Sequence, residues 1–562
     1  MGQIGSTRKF RMPSEGASAR AAASLMGSAC QPGYDVDNAR ELLLLGADVF
    51  ESMPASPHFR MVWANRPDDF SAFFGPVRGA SAALCRDWHP SPEGAQASLA
   101  MGLAWHLADM GLVTGRARDM ADFIALVRQR FRPEDVRLAT GMAPEVLRQM
   151  ALRLSEGTLP ILGTQGGEGL GLAAHVAGFA LSVMTGGINR PGGVYLTGLL
   201  PGESGNSISG AHMQAKTSVS LKPLDAGQQA AVRRSELGLA GEFKRVGMGR
   251  SDAPDVLLLV EADPVAGLPE TELVARAVAK ALFKVAFTPV MTTSARICDL
   301  ILPAPMPLER WDDVTTPYGL AFACYGLSRP LVRTRADARH PGDVLLELAT
   351  RLERPLVPSS FRQALRERVL TLEKSGGFVF RGVSPWRVLA GDAQPAPEAD
   401  LWKSLVEGQL WVNPQPVRAE LACQAAFLAK ALIPEAVDLG LPLKLAPQAS
   451  LRTCMPGGVP LQSVTSLRPD EVQGGKSVLR LNSRTGKTVR VKPGDLVRVI
   501  SPAGRVEALV AFDESVMDGH AALLLGLGEG FGANVRQVQS TWTEPQSNVE
   551  VWAGCRVRLE RI

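Results

Sequence analysis

Apolar positions along this chain follow two rhythms. From about residue 39 to 355, short continuous apolar runs alternate with longer stretches of helix-forming text, whereas from Ser477 onward apolar and polar positions alternate in short strands. The run ARELLLLGADVFES (39–52) predicts a strand ending at Gly46-Ala47, and FRMVWANRPDD (59–69) a second strand followed by a polar loop. QASLAMGLAWHLADMGLV (96–113) predicts a helix, and PEDVRLATGMAPEVLRQMALRLSEG (133–157) two short ones. A second round opens at TLPILGTQGGEGLGLAAHVAGFALSVMTGG, which reads as strand, glycine-rich turn and long apolar helix. PDVLLLVEADPVAG (254–267) predicts the next strand, ETELVARAVAKAL a helix, VAFTPVMTTSARICDLILP a strand running into a hydroxyl-rich loop, and DVLLELATRLERP (343–355) a closing helix. Strand, loop and helix in repetition are the grammar of a doubly wound parallel sheet, whose ligands sit at the carboxyl ends of the strands.

The expected architecture is therefore α/β. Two doubly wound αβα domains cover 1–157 and 158–355, a helical connector rich in Pro, Ala and Trp covers 356–450, and an antiparallel β-barrel covers 451–562. Turn signals TGK, PGD, PAG and DGH punctuate the barrel. A length of 562 residues is too great for a single core and agrees with several domains.

Composition narrows the function classes. The net charge is only +4, so no basic face is forced and nucleic acid has no compositional support as a partner. The seven cysteines (30, 85, 298, 324, 423, 454, 555) form no C-x-x-C pair, so neither a zinc site nor an iron–sulfur cluster built wholly from this chain is expected. Their odd, scattered count also speaks against a disulfide scaffold and for buried thiols. No run approaches the ~20 apolar residues of a membrane span. Near the N-terminus, STRKF is followed only by AAASLMGSA, too broken for the core of a signal peptide, so a membrane role must come through partner subunits.

Candidate chemistry lies in the strand-end loops. GTQGGEGLG (163–171), with Gly163 and Gly166, can cradle a diphosphate on backbone N–H groups, and it can equally be a tight turn. Its spacing is not G-x-G-x-x-G, and it lacks the downstream Asp-Gly and Asn of a thiamine diphosphate site. His106 and His175 fall on apolar helices and read as packed core residues. Trp63, Trp88 and Trp311 read as seam fillers, Arg190 as a structural or phosphate-facing cation. No Ser/His/Asp triad is recognisable.

Seven motifs in order resemble the large subunit of the molybdopterin oxidoreductase (dimethyl sulfoxide reductase) superfamily. They are YDVDNARELLLLGADVFES, WHPSPEGAQASLAMGLAWHLADMGLV, LATGMAPEVLRQMA, TGGINRPGGVYL, VEADPVAGLPE, TTSARICDLILP with LERWDD, and PLQSVTSLRP with the PGDLVRVISPAGRVEA barrel. The resemblance runs from about Tyr34 to the C-terminus. It implies strand-end loops that hold two guanine dinucleotides, so that the positions facing the cofactor would be Gly46, Ala47, Asn65, Arg66, Glu93, Gly163, Gly166, Asp263, Pro264, Thr288, Thr293, Ser294, Asp299, Gly526 and Gly528. Asp299 would lie near the base of its strand-end loop, with a turn acid as the bland alternative, and LERWDD would pack over the site. Cys30 stands about where a relative presents a metal-binding thiolate, against the plainer reading of a buried small hydrophobe.

Several of these positions depart from the family pattern. Thr288 stands where many relatives have Asp, and Thr293-Ser294 where they have Glu-Thr, so single hydroxyls replace carboxylates that can accept from two guanine donors. Asp263 replaces an Asn, Asn65-Arg66 stands for Asp-Pro-Arg, and His89-Pro90-Ser91-Pro92-Glu93 for Arg-Pro-Gly-Thr-acid. GLGEGFG (526–532) lacks the histidine of the pterin-facing loop. The iron–sulfur segment that precedes the first α/β domain in relatives is not found.

Two functions follow from the resemblance. One is a molybdenum or tungsten oxidoreductase holding a bis(molybdopterin guanine dinucleotide) and passing electrons to an iron–sulfur partner. The other, which the departures favour, is a cofactor-poor or cofactor-free structural subunit of a quinone-linked respiratory complex. It resembles the molybdopterin-like subunits of menaquinone reductase and alternative complex III. That reading implies iron–sulfur, integral-membrane quinone-interacting and cytochrome c partners, on the periplasmic side of a membrane.

Overall fold

A run of four leucines sets the first sheet. β2 (Leu42–Leu45) is buried at every position, as befits a parallel strand covered on both faces, and each such side chain contributes roughly 1.5–3 kcal/mol. The computed structural model describes residues 9–28, 30–65, 71–198, 200, 236–334, 337–380, 400–432, 440–449, 471–525 and 534–562. β2 lies between β3 (Ser71–Gly75) and β5 (Leu159–Leu162), and β4 (Asp87–Pro90) joins β3; the order is β4-β3-β2-β5, all parallel. Helices α1 (Glu15–Leu25), α2 (Ser56–Ala64), α3 (Ala80–Leu84), α4 (Gln96–Asp109), α5 (Met120–Arg130), α6 (Pro133–Thr140), α7 (Pro144–Ser155) and α8 (Leu172–Met184) belong to this lobe. All 13 residues of α8 are buried, because α1 and α4 pack on one side and β5 on another. A short antiparallel pair, β1 (Gln31–Tyr34) with β6 (Val194–Thr197), closes the lobe.

The expected boundary at 157/158 does not hold, because β5 completes the first sheet and its glycine loop belongs to the first lobe. The second correction concerns 59–69. The text around FRMVWA forms α2 rather than a strand, because Phe59 and Trp63, four residues apart, are buried while Arg60 and Met61 face solvent.

The second parallel sheet has three strands, β7 (Val256–Val260), β8 (Phe283–Thr288) and β9 (Leu300–Pro303), in that order. Beyond it, β10 (Asp312–Val314), β11 (Ala323–Ser328), β13 (Leu410–Asn413) and β12 (Phe378–Phe380) make an antiparallel sheet across the expected connector. That sheet buries Tyr325 and Trp411 in its own small core.

The C-terminal barrel is closed and begins earlier than expected, at β14 (Leu443–Gln448). β15 (Val472–Gln473) pairs with β16 (Lys476–Leu481), and β17 (Leu496–Ser501), β18 (Gly504–Phe512), β19 (His520–Leu524) and β22 (Arg556–Arg561) complete it. Closure comes from β16 meeting β19 at Arg480↔Ala522. The six-strand cycle runs β16-β18-β17-β22-β14-β19, and two of its pairings, β16–β18 and β14–β19, are parallel. TGK lies within a helix, Ser483–Thr488, capped by Asn482, and not in a strand-to-strand turn. A hairpin of β20 (Trp542–Thr543) and β21 (Glu550–Val551) precedes the last strand.

The barrel sits over the carboxyl edge of the first sheet. Arg78 N–H donates to Ser515 O at 2.8 Å and Met517 N–H to Pro76 O at 2.8 Å, so the loop after β3 is clasped by the loop before β19. This contact aims the barrel at the place where a ligand of the first lobe would lie.

Candidate functional site

In the order β4-β3-β2-β5 the chain reverses its direction of travel across the sheet at β2. The crevice between the loops after β2 and β5 is therefore the topological switch point. Gly46-Ala47-Asp48 line one wall and residues 163–171 the other. Gly46 leaves the strand with φ 75°, and its N–H donates to Phe74 O at 2.7 Å.

Protein groups occupy this crevice. Glu15, the first residue of α1, puts its Oε1 3.1 Å from the Thr164 N–H that donates to it. A Cβ added at Gly163 would lie 2.1 Å from that oxygen, and one at Gly46 would lie 2.6 Å from Gln96 Nε2. Gln165 bridges to the loop after β3, accepting from Val77 N–H at 3.1 Å and donating to Val77 O at 2.8 Å. Glu168 forms an ion pair with Arg536, which lies over the Trp552 ring at 5.9 Å. Gly169 O accepts from the Trp552 and Ala553 amides at 3.1 and 3.0 Å, and a Cβ at Gly169 would come within 2.5 Å of the indole nitrogen.

The N-terminus of α8 is also taken. Gly171 is its N-cap and has no side chain to offer, yet the Ala173 N–H donates to Glu544 Oε1 at 3.0 Å and the Leu172 N–H bonds the same carboxylate. Ser547 Oγ donates to the other oxygen. Glu544 lies in the turn of the β20–β21 hairpin and is 2 % exposed.

Three acids at this edge are held away from water. Burial pushes Glu15 up to about 8, with Glu93 and Asp48 adding to the rise. Burial likewise raises Asp48 to about 7, opposed by the Ser81 hydroxyl, and Glu93 to about 7, opposed by Gln96. Glu93 Oε2 and Gln96 Oε1 find no protein partner. Among the described residues no group of three His, Cys, Asp or Glu side chains could hold a metal ion. Burial thus favours the protonated forms of these acids.

The second sheet's strand ends turn inward as well. Asp263 caps the helix Pro264–Gly267 and accepts from Ala266 N–H, Thr293 N–H, Ser294 N–H and Ser294 Oγ at 3.3, 3.0, 2.9 and 2.5 Å. Thr288 Oγ1 donates to Val290 O at 2.6 Å. From LERWDD, Arg310 reaches both oxygens of Glu261 at the end of β7 and also Asp312. Asp299 is at the other end of the sheet. It accepts from Lys284 N–H at 2.8 Å at the start of β8 and pairs with Lys284 Nζ at 2.9 Å, which holds its carboxyl below the usual range. The expectation that Asp299 faces a ligand at the strand carboxyl ends is corrected by this placement.

The structure thus brings Gly46, Ala47, Glu93, Gly163 and Gly166 to one edge and Asp263, Pro264, Thr288, Thr293 and Ser294 to another. Asn65 ends α2, where its Nδ2 donates to Met61 O at 2.9 Å; the end of β3 instead leads into Pro76-Val77-Arg78. Cys30 is 4 % exposed in the first core, and burial raises its thiol pKa. Arg66, Gly526 and Gly528 lie outside the described residues. The sequence reading missed Glu15, Asp48, Glu168, Arg536, Glu544 and Trp552. Asp48 and Glu168 sit inside motifs already singled out. Glu544 gives no local signal, because its partner is 371 positions away.

No model of a known protein family matches the chain. Its fold is similar to that of acetylene hydratase from Pelobacter acetylenicus, with a TM-score of 0.68 at 13% identity, over 97% of this chain and 80% of that one. In sequence it is 30% identical, over an alignment 577 positions long, to the menaquinone reductase molybdopterin-binding-like subunit of Nitratidesulfovibrio vulgaris, covering 100% of this chain and 76% of that protein. The chain belongs to the molybdopterin oxidoreductase superfamily, with that subunit. The group that membership implies is a molybdenum- or tungsten-bearing pyranopterin dinucleotide, and the residues at this chain's crevice do not fit it. Of the amides that a diphosphate would use, that of Thr164 donates to Glu15 and those of Leu172 and Ala173 donate to Glu544. Side-chain atoms also stand 2.1 to 2.5 Å from where even a methyl group would go at Gly163, Gly169 and Gly171.

Proposed function

We propose that this molybdopterin-oxidoreductase-like chain is a cofactor-free structural subunit of a membrane-associated, quinone-linked electron-transfer complex. One observation carries the reading. At the switch-point crevice the chain's own Glu15 takes the Thr164 amide, its Glu544 takes the Leu172 and Ala173 amides, and the Trp552 amide donates to the Gly169 carbonyl. The relative's description as a subunit of menaquinone reductase supports membership of a multisubunit assembly. No helix of the described residues is long and apolar enough to cross a membrane, so attachment would come through partners: an iron–sulfur subunit, an integral-membrane quinone-interacting subunit and a cytochrome c, on the periplasmic side. The alternative, a catalytic subunit loaded with bis(molybdopterin guanine dinucleotide), would require Glu15, Trp552 and Glu544 all to withdraw.

The test is native purification of the assembly followed by metal analysis and oxidative extraction of pterin. The expected result is co-purification with iron–sulfur and membrane subunits and no molybdenum, tungsten or pterin attributable to this chain. One metal and pterin per chain would overturn the reading.

A further inference from the structure

In a doubly wound sheet the first turn of the helix after the switch-point strand offers its free N–H groups to a phosphate. In this chain that helix is α8, and its own cap residue, Gly171, makes no side-chain hydrogen bond. Unpaired, such amides in a buried helix end would destabilise the fold. The groups that meet them come from the far end of the sequence. Leu172 and Ala173 donate to the Glu544 carboxylate, and Ser547 Oγ donates to its second oxygen. Three donors converge on one side chain that is 2 % exposed; they favour the ionised form, which only accepts, against the burial that raises its pKa. A Cβ at Gly171 would stand 2.3 Å from Glu544 Oε1, so the missing side chain at the cap is what admits the acid.

We propose that Glu544 is a self-supplied anion. Its carboxylate takes, within the same chain, the amide donors that a nucleotide's diphosphate takes in doubly wound sheets, and so clamps the β20–β21 hairpin, with the barrel behind it, onto the first lobe. The α8 N-terminus is then a latent anion site, and the ligand class it would accept with Glu544 removed is a small oxyanion: carboxylate, phosphate or diphosphate. The inference rests on the cofactor-free reading of the chain.

Chemical rescue tests it. Glu544→Ala is expected to melt several degrees below the wild type, and formate or inorganic pyrophosphate at millimolar concentration to return much of that loss. The wild type should not respond to either anion, and Glu544→Gln, which keeps an acceptor oxygen, should lie between the two without responding to formate. Should Glu544→Ala fail to fold, Glu544→Asp, whose carboxylate stops one methylene short, carries the same comparison. Equal anion shifts in variant and wild type, or a destabilised variant that neither anion restores, would overturn the inference. The two readings fail separately: pterin or molybdenum in the native chain removes the cofactor-free reading, whereas a metal-free chain without anion rescue removes only this one.

Discussion

Glu15 is an acid folded into a place that disfavours its charge. Its neighbours are Glu93 and Asp48 from the first sheet's edge and the Tyr34–Tyr318 hydroxyl pair, none of them a cation, and burial lifts its pKa from 4.5 to about 8. An acid whose folded pKa is raised binds more protons folded than unfolded, so its contribution to stability is complete below pH 4.5 and lost as pH rises to about 8. Each unit of such a shift corresponds to about 1.4 kcal/mol. Urea unfolding of the wild type across this range should therefore show stability falling with pH. Glu15→Gln, which keeps an acceptor for Thr164 N–H, should flatten the upper part of the fall, leaving the part due to Asp48 and Glu93. A variant whose pH profile overlays the wild type's would mean that Glu15 is already ionised in the folded chain.

At the level of elements, α1 and the glycine loop after β5 are mutually shaped. Gly163→Ala would drive a methyl group into the Glu15 carboxylate, and overpacking of this kind typically costs about 1–3 kcal/mol. Shortening the acid should relieve it, so Gly163→Ala with Glu15→Ala should cost less than the sum of the two single changes in a double-mutant cycle. Additive losses would place the strain elsewhere. The elements themselves were largely readable. Four leucines before Gly46 mark β2, the glycine run marks the turn between β5 and α8, and the five apolar residues before Glu261 mark β7. Neighbourhood was not readable. Nothing local assigns β5 to the sheet of β2, because strand order depends on which faces pack. The hydroxyls of Thr288 and Ser294 look like ligand contacts until the fold turns them back onto Val290 O and Asp263. Asp299 belongs to the same ligand-like stretch, yet it lies one strand length away because it precedes β9 instead of following β8.

Across the whole molecule, the seam between the barrel and the first lobe joins parts of the chain far apart in sequence. Its best-defined element is the Arg536–Glu168 pair, whose side chains are 8% and 15% exposed, flanked by Trp552 and by Gln539, which accepts from Arg536 at 2.7 Å. Burial pulls the Arg536 pKa down to about 10, still far enough above neutrality to leave the guanidinium charged. Breaking a buried pair leaves the other charge stranded and typically costs about 3–5 kcal/mol, whereas replacing both partners by neutral groups of similar size can be nearly free. Arg536→Met should accordingly destabilise the chain strongly, and should loosen the seam first, seen as a red-shifted Trp552 emission and faster exchange of the Trp552 and Ala553 amides that bond Gly169 O. Adding Glu168→Gln should restore most of the stability and the emission. If the double variant stays as weak as the single one, the guanidinium's contacts with Trp552 and Gln539, and not its pairing with Glu168, are what hold the barrel in place.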